Sequence, residues 1–164
     1  MSGPLHSFFA ADHGRLDGLL REAIRDPSHV ALEPFGEFRA GILKHIGMEE
    51  KVLFVAARRA RGEALPLVAR LRVDHGAIAS LLVPTPTPAI VAEIVSVLGP
   101  HNRREEDLGG VYDGCDDAVV PADAERLLRQ LRRFPEIPLK PYNDAPAVFR
   151  HIEFNLDLAR RQWL

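Results

Sequence analysis

Two short stretches of the chain carry a histidine followed four residues later by a glutamate. His45 and Glu49 form one such pair, and His101 and Glu105 form the other. Residues four positions apart lie on the same face of a helix, so each pair can direct a ring nitrogen and a carboxylate oxygen at one point. Imidazole nitrogens and carboxylate oxygens are common metal ligands. The spacing therefore predicts a metal site built on helices.

An internal repeat places a further histidine ahead of each pair. Segment 12–20 matches segment 74–82, and His13 and His75 occupy the same position in the two segments. Each half of the chain thus has the order His, then His-x-x-x-Glu-Glu. Two similar half-sites, each with two histidines and one carboxylate, predict two metal ions rather than one.

The elements that must position these residues are helices, because apolar residues recur with helical spacing and do not alternate over the length of a strand. Glycine and proline residues separate four such stripes, after which the chain continues with further helical segments. The four stripes occupy residues 5–24, 35–56, 67–82 and 91–112. Four amphipathic helices joined by short loops favour an all-α, up-down-up-down four-helix bundle.

The histidines and glutamates interrupt the apolar stripes and therefore face the predicted core. They are His13, His45, Glu49, His75, His101 and Glu105. Burying them unpaired would cost several kcal/mol per charged group, against a net domain stability of about 5 to 15 kcal/mol. Hydrogen bonds between histidine and glutamate are one solution, but six such groups spread over four helices favour a metal cluster.

The ligand types narrow the choice of metal. Nitrogen and oxygen ligands suit iron or manganese, with zinc as a further candidate. The single Cys115 excludes a site made of thiolates. We expect Glu49 and Glu105 to bridge the two ions, with His13 and His45 nearer one ion. His75 and His101 are then expected to lie nearer the other.

The doubled His, His-x-x-x-Glu order, over residues 5 to about 115, resembles the hemerythrin-like family of HHE cation-binding domains. This resemblance implies a non-haem di-iron centre with an oxo or hydroxo bridge, held in an up-down four-helix bundle by the same six ligands. The chain departs from oxygen-carrying members at Ala79, where those members have a histidine one turn after the third-helix ligand. Fewer histidines leave coordination positions open to water, O2, NO or peroxide.

Four acidic neighbours of the ligands have alternative roles. Asp12 and Asp74 each precede a ligand histidine, and they either orient an imidazole on a neighbouring helix or lie on the surface. Glu50 and Glu106 have the same alternatives. Glu106 also competes with Glu105 for the bridging position, so the sequence leaves the identity of that bridge open.

Three further features lie near the predicted site. His6, two turns before His13, is either a fifth nitrogen ligand or a cap on the end of the bundle. Tyr112, on the ligand face two turns after Glu105, either hydrogen-bonds a bound oxygen species or is an ordinary core residue. The acidic residues within 113–117 are expected to form a solvated loop.

The chain divides into a metal-binding bundle at residues 1–117 and a C-terminal helical extension at 118–164, which packs on the bundle or on a partner. The extension begins with a basic amphipathic helix at 121–134. A spacer with three prolines follows, and a last helix starts at about Pro146. Phe149, Ile152, Leu156 and Trp163 give that last helix an apolar face.

Composition excludes several classes of protein. The chain has 164 residues and a formal net charge of -2, with no dominant basic stripe, so nucleic acid is not an expected partner. It has neither a long apolar span nor a signal-peptide pattern, which predicts a cytoplasmic protein without membrane contact.

These observations predict a metal-binding protein rather than a dedicated enzyme. Its ligand would be a small diatomic molecule or peroxide, and its use would be redox sensing, oxygen handling or iron delivery and repair. A di-iron peroxidase or oxidase is an alternative, because the same ligands suit both. A metal-free helical interaction module, with a homodimer as its simplest form, is another.

Overall fold

The computed structural model describes residues 2–164, and every regular element in that range is a helix. Strands are absent from these residues, so the all-α prediction is confirmed. A π-helical turn, Glu49–Leu53, joins α2 to α3. The helices are α1 (Pro4–Ala23), α2 (Leu32–Met48), α3 (Phe54–Arg61), α4 (Val68–Leu81), α5 (Pro88–Glu106), α6 (Val111–Ala118), α7 (Pro121–Arg132) and α8 (Pro146–Arg161).

Proline, threonine and glycine set several helix boundaries. Proline occupies the first turn of α1, α5, α7 and α8, where its missing N–H has no helical partner to lose. Thr87 caps α5, because its hydroxyl oxygen accepts a hydrogen bond of 3.2 Å from the backbone N–H of Ile90. Gly62 ends α3 with a left-handed φ of 83°. α7 and α8 begin at Pro121 and Pro146, the starts that the sequence predicts.

The fourth apolar stripe does not form one helix. Asp107 leaves the helical conformation with ψ at 155°, and Gly109 takes a left-handed φ of 77°. The chain therefore turns after Glu106, and Tyr112 lies on the separate helix α6. The predicted single helix over 91–112 is wrong.

The acidic cluster is helical and is tied to α1, so the predicted solvated loop is also wrong. Residues 113–117 lie within α6. Asp116 accepts hydrogen bonds from the backbone N–H groups of Leu5 (3.0 Å) and His6 (2.9 Å). These N–H groups belong to the first turn of α1 and have no partner within that helix. The acidic cluster thus caps α1 from a distant part of the chain.

The π-helical turn shifts the second apolar stripe by one residue. Leu53, Phe54 and Ala57 are buried, whereas Ala56 is only half-buried. A π turn holds more residues than an α turn, so the buried face moves along the sequence after it. The prediction for Ala56 was wrong for that reason.

Two apolar clusters fill the interior, and the histidine and glutamate residues lie between them along the helices. The first, here called the Phe38 core, includes Leu16, Leu20, Phe35, Phe38, Ile42, Ile78, Leu81 and Ile94. The second, here called the Phe9 core, includes Leu5, Phe9, Met48, Leu53, Leu71 and Tyr112. The order in which the chain passes the two cores reverses from α1 to α2 and again from α2 to α4. α5 contributes to the Phe38 core alone, and α6 adds Val111 and Tyr112 to the Phe9 core.

The C-terminal helices pack on the rest of the chain. α7 contacts α1 and the π-helical turn, and α8 contacts α4. Ile152 and Leu156 are buried in α8, but Phe149 remains exposed, so only part of the predicted apolar face is covered. None of the helices described in residues 2–164 is long and apolar enough to cross a membrane.

Gly110→Ala should destabilise the fold by about 1 to 3 kcal/mol, because the chain reversal after α5 leaves no room for a side chain. A Cβ at Gly110 would lie 2.7 Å from the carbonyl oxygens of Asp107 and Glu105. The free energy of unfolding from urea titration measures the effect. Gly36→Ala is the matched control, since a Cβ there meets nothing within 4 Å. Helix propensity predicts a gain of up to about 1 kcal/mol for this control. Equal effects of the two variants would contradict this account of the turn.

Candidate metal centre

The structure brings together all six residues that the sequence singles out as metal ligands. They form two groups of four, and in each group one donor atom per residue lies within 4.8 Å of the others. The first group is His13, His45, Glu49 and Glu105, and the second group is Glu49, His75, His101 and Glu105. Each of the six side chains belongs to a residue at most 5% exposed.

The two glutamates belong to both groups, and each directs one carboxylate oxygen to each group. The four contacts are Glu49 Oε1–His45 Nε2 (3.3 Å), Glu49 Oε2–His75 Nε2 (3.1 Å), Glu105 Oε2–His13 Nε2 (3.3 Å) and Glu105 Oε1–His101 Nε2 (3.0 Å). A carboxylate that faces two groups of imidazole nitrogens in this way has the arrangement needed to bridge two cations.

Each of the four histidines pairs its Nδ1 with a carboxylate outside the two groups. The pairs are His13 with Glu106, His45 with Asp12 (2.8 Å), His75 with Glu50 (2.8 Å) and His101 with Asp74 (3.1 Å). Such a partner fixes the ring orientation and leaves Nε2 facing the centre. Asp12 and Asp74 therefore orient imidazole rings rather than lying on the surface. Of the two candidates for the shared position, Glu105 belongs to both groups, whereas Glu106 contacts the His13 ring.

The π-helical turn accounts for two adjacent glutamates that both reach the centre. Glu49 and Glu50 begin this turn. Glu49 lies in both groups, while Glu50 pairs with His75 Nδ1. In a regular α-helix, successive residues point about 100° apart, so adjacent glutamates would face different directions. Single π-helical turns occur often at functional sites.

The donor set fits a cation, because several of its buried atoms make no hydrogen bond. Four buried side-chain polar atoms in the described residues lack a hydrogen bond, and three belong to the second group: Glu49 Oε2, His75 Nε2 and Glu105 Oε1. Glu49 Oε2 and His75 Nε2 lie 3.1 Å apart, but their orientation does not form a hydrogen bond. A buried polar atom without a partner costs about 1 to 3 kcal/mol, which a bound cation would remove.

The carboxylates favour protonated histidines when no cation is bound. Burial alone lowers the pKa of an imidazole, but nearby carboxylates outweigh it, raising the pKa of His13 and His101 to about 9 and of His75 to about 10. For Glu49, burial raises the pKa, yet His45 and His75 outweigh this and hold it well below its usual range. Protons therefore compete with a cation for the nitrogen atoms.

Tyr112 also reaches the centre, from α6. Its hydroxyl group donates a hydrogen bond to Glu49 Oε1 (2.5 Å), and its oxygen lies 3.1 Å from Glu105 Oε2. The same oxygen lies 3.2 Å from the Nε2 atoms of His13 and His45. Burial and the Glu105 and Glu49 carboxylates raise the pKa of the phenol well above its usual value. Tyr112 is thus not an ordinary core residue.

His6 lies beside the centre without joining either group. Its Nδ1 is 2.7 Å from Asp113 Oδ1, and its ring meets that of Tyr112 edge-on with centroids 5.9 Å apart. His6 is buried at the start of α1, so its position matches a cap on this end of the helices rather than a further ligand.

The C-terminal residues hold one of the outer carboxylates, Asp74, through a contact that no spacing in the sequence predicts. Asp74 Oδ1 accepts hydrogen bonds from Gln162 Nε2 (2.9 Å) and from the indole N–H of Trp163 (3.0 Å). Asp74 Oδ2 faces His101 Nδ1 at 3.1 Å. The Arg104 guanidinium lies 3.6 Å from the centre of the Trp163 ring. No spacing rule connects residues 88 or 89 positions apart, so only the packing of α8 on α4 reveals this contact.

A family model described as the hemerythrin HHE cation-binding domain matches residues 5–133. The chain belongs to the hemerythrin HHE family. The match includes α6, which carries Tyr112, as well as the four helices that carry the two groups. No curated protein and no solved structure matches the chain. Members of the HHE family bind metal cations, and the histidine and glutamate groups described above fit such a site.

Without metal, this HHE domain should lose stability as the pH rises from about 6.5 to about 10. The folded-state pKa values of His13, His75 and His101 lie above the usual 6.5. The protonated histidines therefore contribute fully to the free energy of unfolding below pH 6.5, and this contribution is lost as the pH rises through 9 to 10. Denaturant titrations of chelator-treated protein measure this loss.

Stabilisation by added metal should increase over the same pH range. Metal binds deprotonated imidazole, so the affinity for metal rises with pH. His29→Gln, in an exposed loop, is the control that leaves both trends unchanged. A metal-free stability that stays constant from pH 6.5 to 10 would contradict the assigned charge state.

Trp163→Phe should weaken metal binding by up to about tenfold, because it removes the indole N–H that holds Asp74 and keeps an aromatic ring beside Arg104. Competition with a chromophoric chelator measures the affinity. Leu164→Ala, at the fully exposed last residue, serves as the control and should bind metal like the unmodified chain. Unchanged affinity in Trp163→Phe would show that this support has no effect on His101.

Proposed function

We propose that the chain is a non-haem di-iron protein with a coordination position open to O2, NO or peroxide. The observation that carries this proposal is the pair of shared carboxylates, Glu49 and Glu105, each of which presents one oxygen to each of two four-donor groups. One ion would be held by His13 and His45 and the other by His75 and His101, with both glutamates common to the two ions.

The proposal includes an up-down-up-down four-helix bundle made of α1, α2 with its continuation α3, α4 and α5. The two apolar cores support this topology. α1 runs from the Phe9 core to the Phe38 core, α2 returns, and α4 repeats the first direction. α5 begins in the Phe38 core, and the chain reaches the Phe9 core again in α6, at Val111 and Tyr112. His13, His45 and His75 lie where their helices pass from one core to the other, and His101 follows the Phe38-core residues of α5. The four histidines share Glu49 and Glu105 as neighbours in the two groups.

The surroundings of the centre suit iron chemistry. Iron bound here would supply redox chemistry and coordination of a small ligand. The chain provides imidazole and carboxylate donors, which suit iron or manganese better than softer metals, and none of its donors is a thiolate. The apolar residues on both sides, Phe9 and Phe38 among them, are fully buried and keep bulk water away from the donor atoms.

Sensing, oxygen handling or iron delivery fits the donor count better than reversible oxygen storage. Ala79, one turn after His75, provides no nitrogen ligand, so the second group has only His75 and His101 as nitrogen donors. Three of the atoms in this group lack hydrogen bonds. A centre with few ligands on one side leaves room there for a small exogenous molecule.

Metal analysis and optical spectra test the proposal. The purified chain should contain about two irons, and air oxidation should produce charge-transfer absorption that is absent under anaerobic conditions. Glu49→Ala and His101→Ala should each lose this absorption and at least one iron. Glu63→Ala and His29→Ala, which change the same residue types at exposed positions, should retain both.

Two outcomes would contradict the proposal: folded chain that is metal-free in every preparation, or loading with a single ion that Glu49→Ala leaves unchanged. Reaction with NO and with H2O2 separates the functional classes. Stoichiometric binding supports a sensor or carrier, whereas sustained consumption of H2O2 supports a di-iron peroxidase.

A further inference from the structure

The phenol oxygen of Tyr112 lies among the donor atoms of the first group. It is 2.5 Å from Glu49 Oε1, 3.1 Å from Glu105 Oε2 and 3.2 Å from the Nε2 atoms of both His13 and His45. The phenol oxygen therefore contacts all four residues of the first group. The glutamate oxygens that it contacts, Glu49 Oε1 and Glu105 Oε2, are the ones that face this group.

Three of these distances, 3.1 to 3.2 Å, are close to those of neighbouring ligands on one ion. Nitrogen and oxygen ligands bind at about 2.1 Å, so two of them at a right angle lie about 3.0 Å apart. An ion held by His13, His45, Glu49 and Glu105 would thus have the Tyr112 oxygen at its coordination distance or very near it. The oxygen must then either bind the ion or move away.

The surroundings of Tyr112 prevent it from moving away. The residue is 0% exposed, and its ring stacks on Phe9 with centroids 5.2 Å apart. His6 covers another side of the ring. α6 itself is held to the start of α1, because Asp116 accepts hydrogen bonds from the backbone of Leu5 and His6. The ring has no adjacent solvent into which it can rotate.

The second group has no equivalent oxygen donor in the described part of the chain. Glu49 Oε2, His75 Nε2 and Glu105 Oε1 all face it without hydrogen bonds. The two groups share their glutamates and each adds two histidines, so the phenol is the main difference between them.

We infer that Tyr112 is a fifth ligand, through its phenol oxygen, of the ion held by His13, His45, Glu49 and Glu105. The inference rests on the proposed function, since it requires metal at the first group. Coordination displaces the phenol hydrogen as a proton, which leaves together with those that metal displaces from the histidines. The ion of the second group then has fewer protein ligands and is the one that binds a small molecule.

The two tyrosines of the chain provide a matched pair of variants. Iron-loaded, oxidised protein should show a visible phenolate-to-iron charge-transfer band and, with excitation in that band, resonance-enhanced vibrations of a tyrosine ring. Tyr112→Phe should lose both signals while retaining iron. Tyr142→Phe, which changes a partly buried tyrosine that lies against Arg39, should keep both.

Absence of phenolate signals in the iron-loaded, unmodified chain would overturn the inference and leave the di-iron proposal intact. Their persistence in Tyr112→Phe would do the same. If Tyr112→Phe fails to fold, the signals of Tyr142→Phe alone decide, because Tyr112 is then the only tyrosine.

Zinc provides a readout that does not depend on iron. Titration of metal-free Tyr142→Phe with zinc should produce the ultraviolet difference spectrum of one ionised tyrosine, and its absence at saturation would overturn the inference. A chain that binds neither iron nor zinc overturns both the inference and the proposed function.

Discussion

The structure depends on the burial of four imidazoles and two carboxylates between two apolar cores. Such groups are tolerated in a protein interior only when each has partners. The chain provides them in two layers: the shared glutamates inside, and one carboxylate on the Nδ1 of each histidine outside. The helix order, the π-helical turn and the packing of α6 and α8 all serve to deliver these partners.

The six residues of the two groups and most of the helical segments that carry them could be predicted, because both arise from local periodicity. A four-residue spacing places His45 with Glu49, and His101 with Glu105, wherever the chain is helical. The repeat supplies His13 and His75 at equivalent positions. Proline and glycine then mark most of the helix ends, since their effects on the backbone are local.

What the sequence did not predict depends on interruptions of that periodicity or on distant contacts. Extending the α5 spacing placed Tyr112 near the ligands, but α5 ends at Glu106 and the phenol arrives from α6 after a chain reversal. The π-helical turn changes the phase after Glu49 without a distinctive composition. Trp163 reaches Asp74 only through the packing of α8 on α4, which no spacing rule encodes.

The pairing of every histidine with its own outer carboxylate also determines the charge balance of the interior. Six carboxylates and four imidazolium groups carry a formal charge of -2. Two divalent ions with four neutral imidazoles would leave the same -2, because four protons are exchanged for four positive charges, and loss of the Tyr112 proton on coordination would bring the total to -3. Metal loading in the reduced state would thus change the net charge of the core by a single unit. Oxidation of both ions to the trivalent state would add two positive charges, so electron transfer would alter the electrostatic field within the helices more than metal binding.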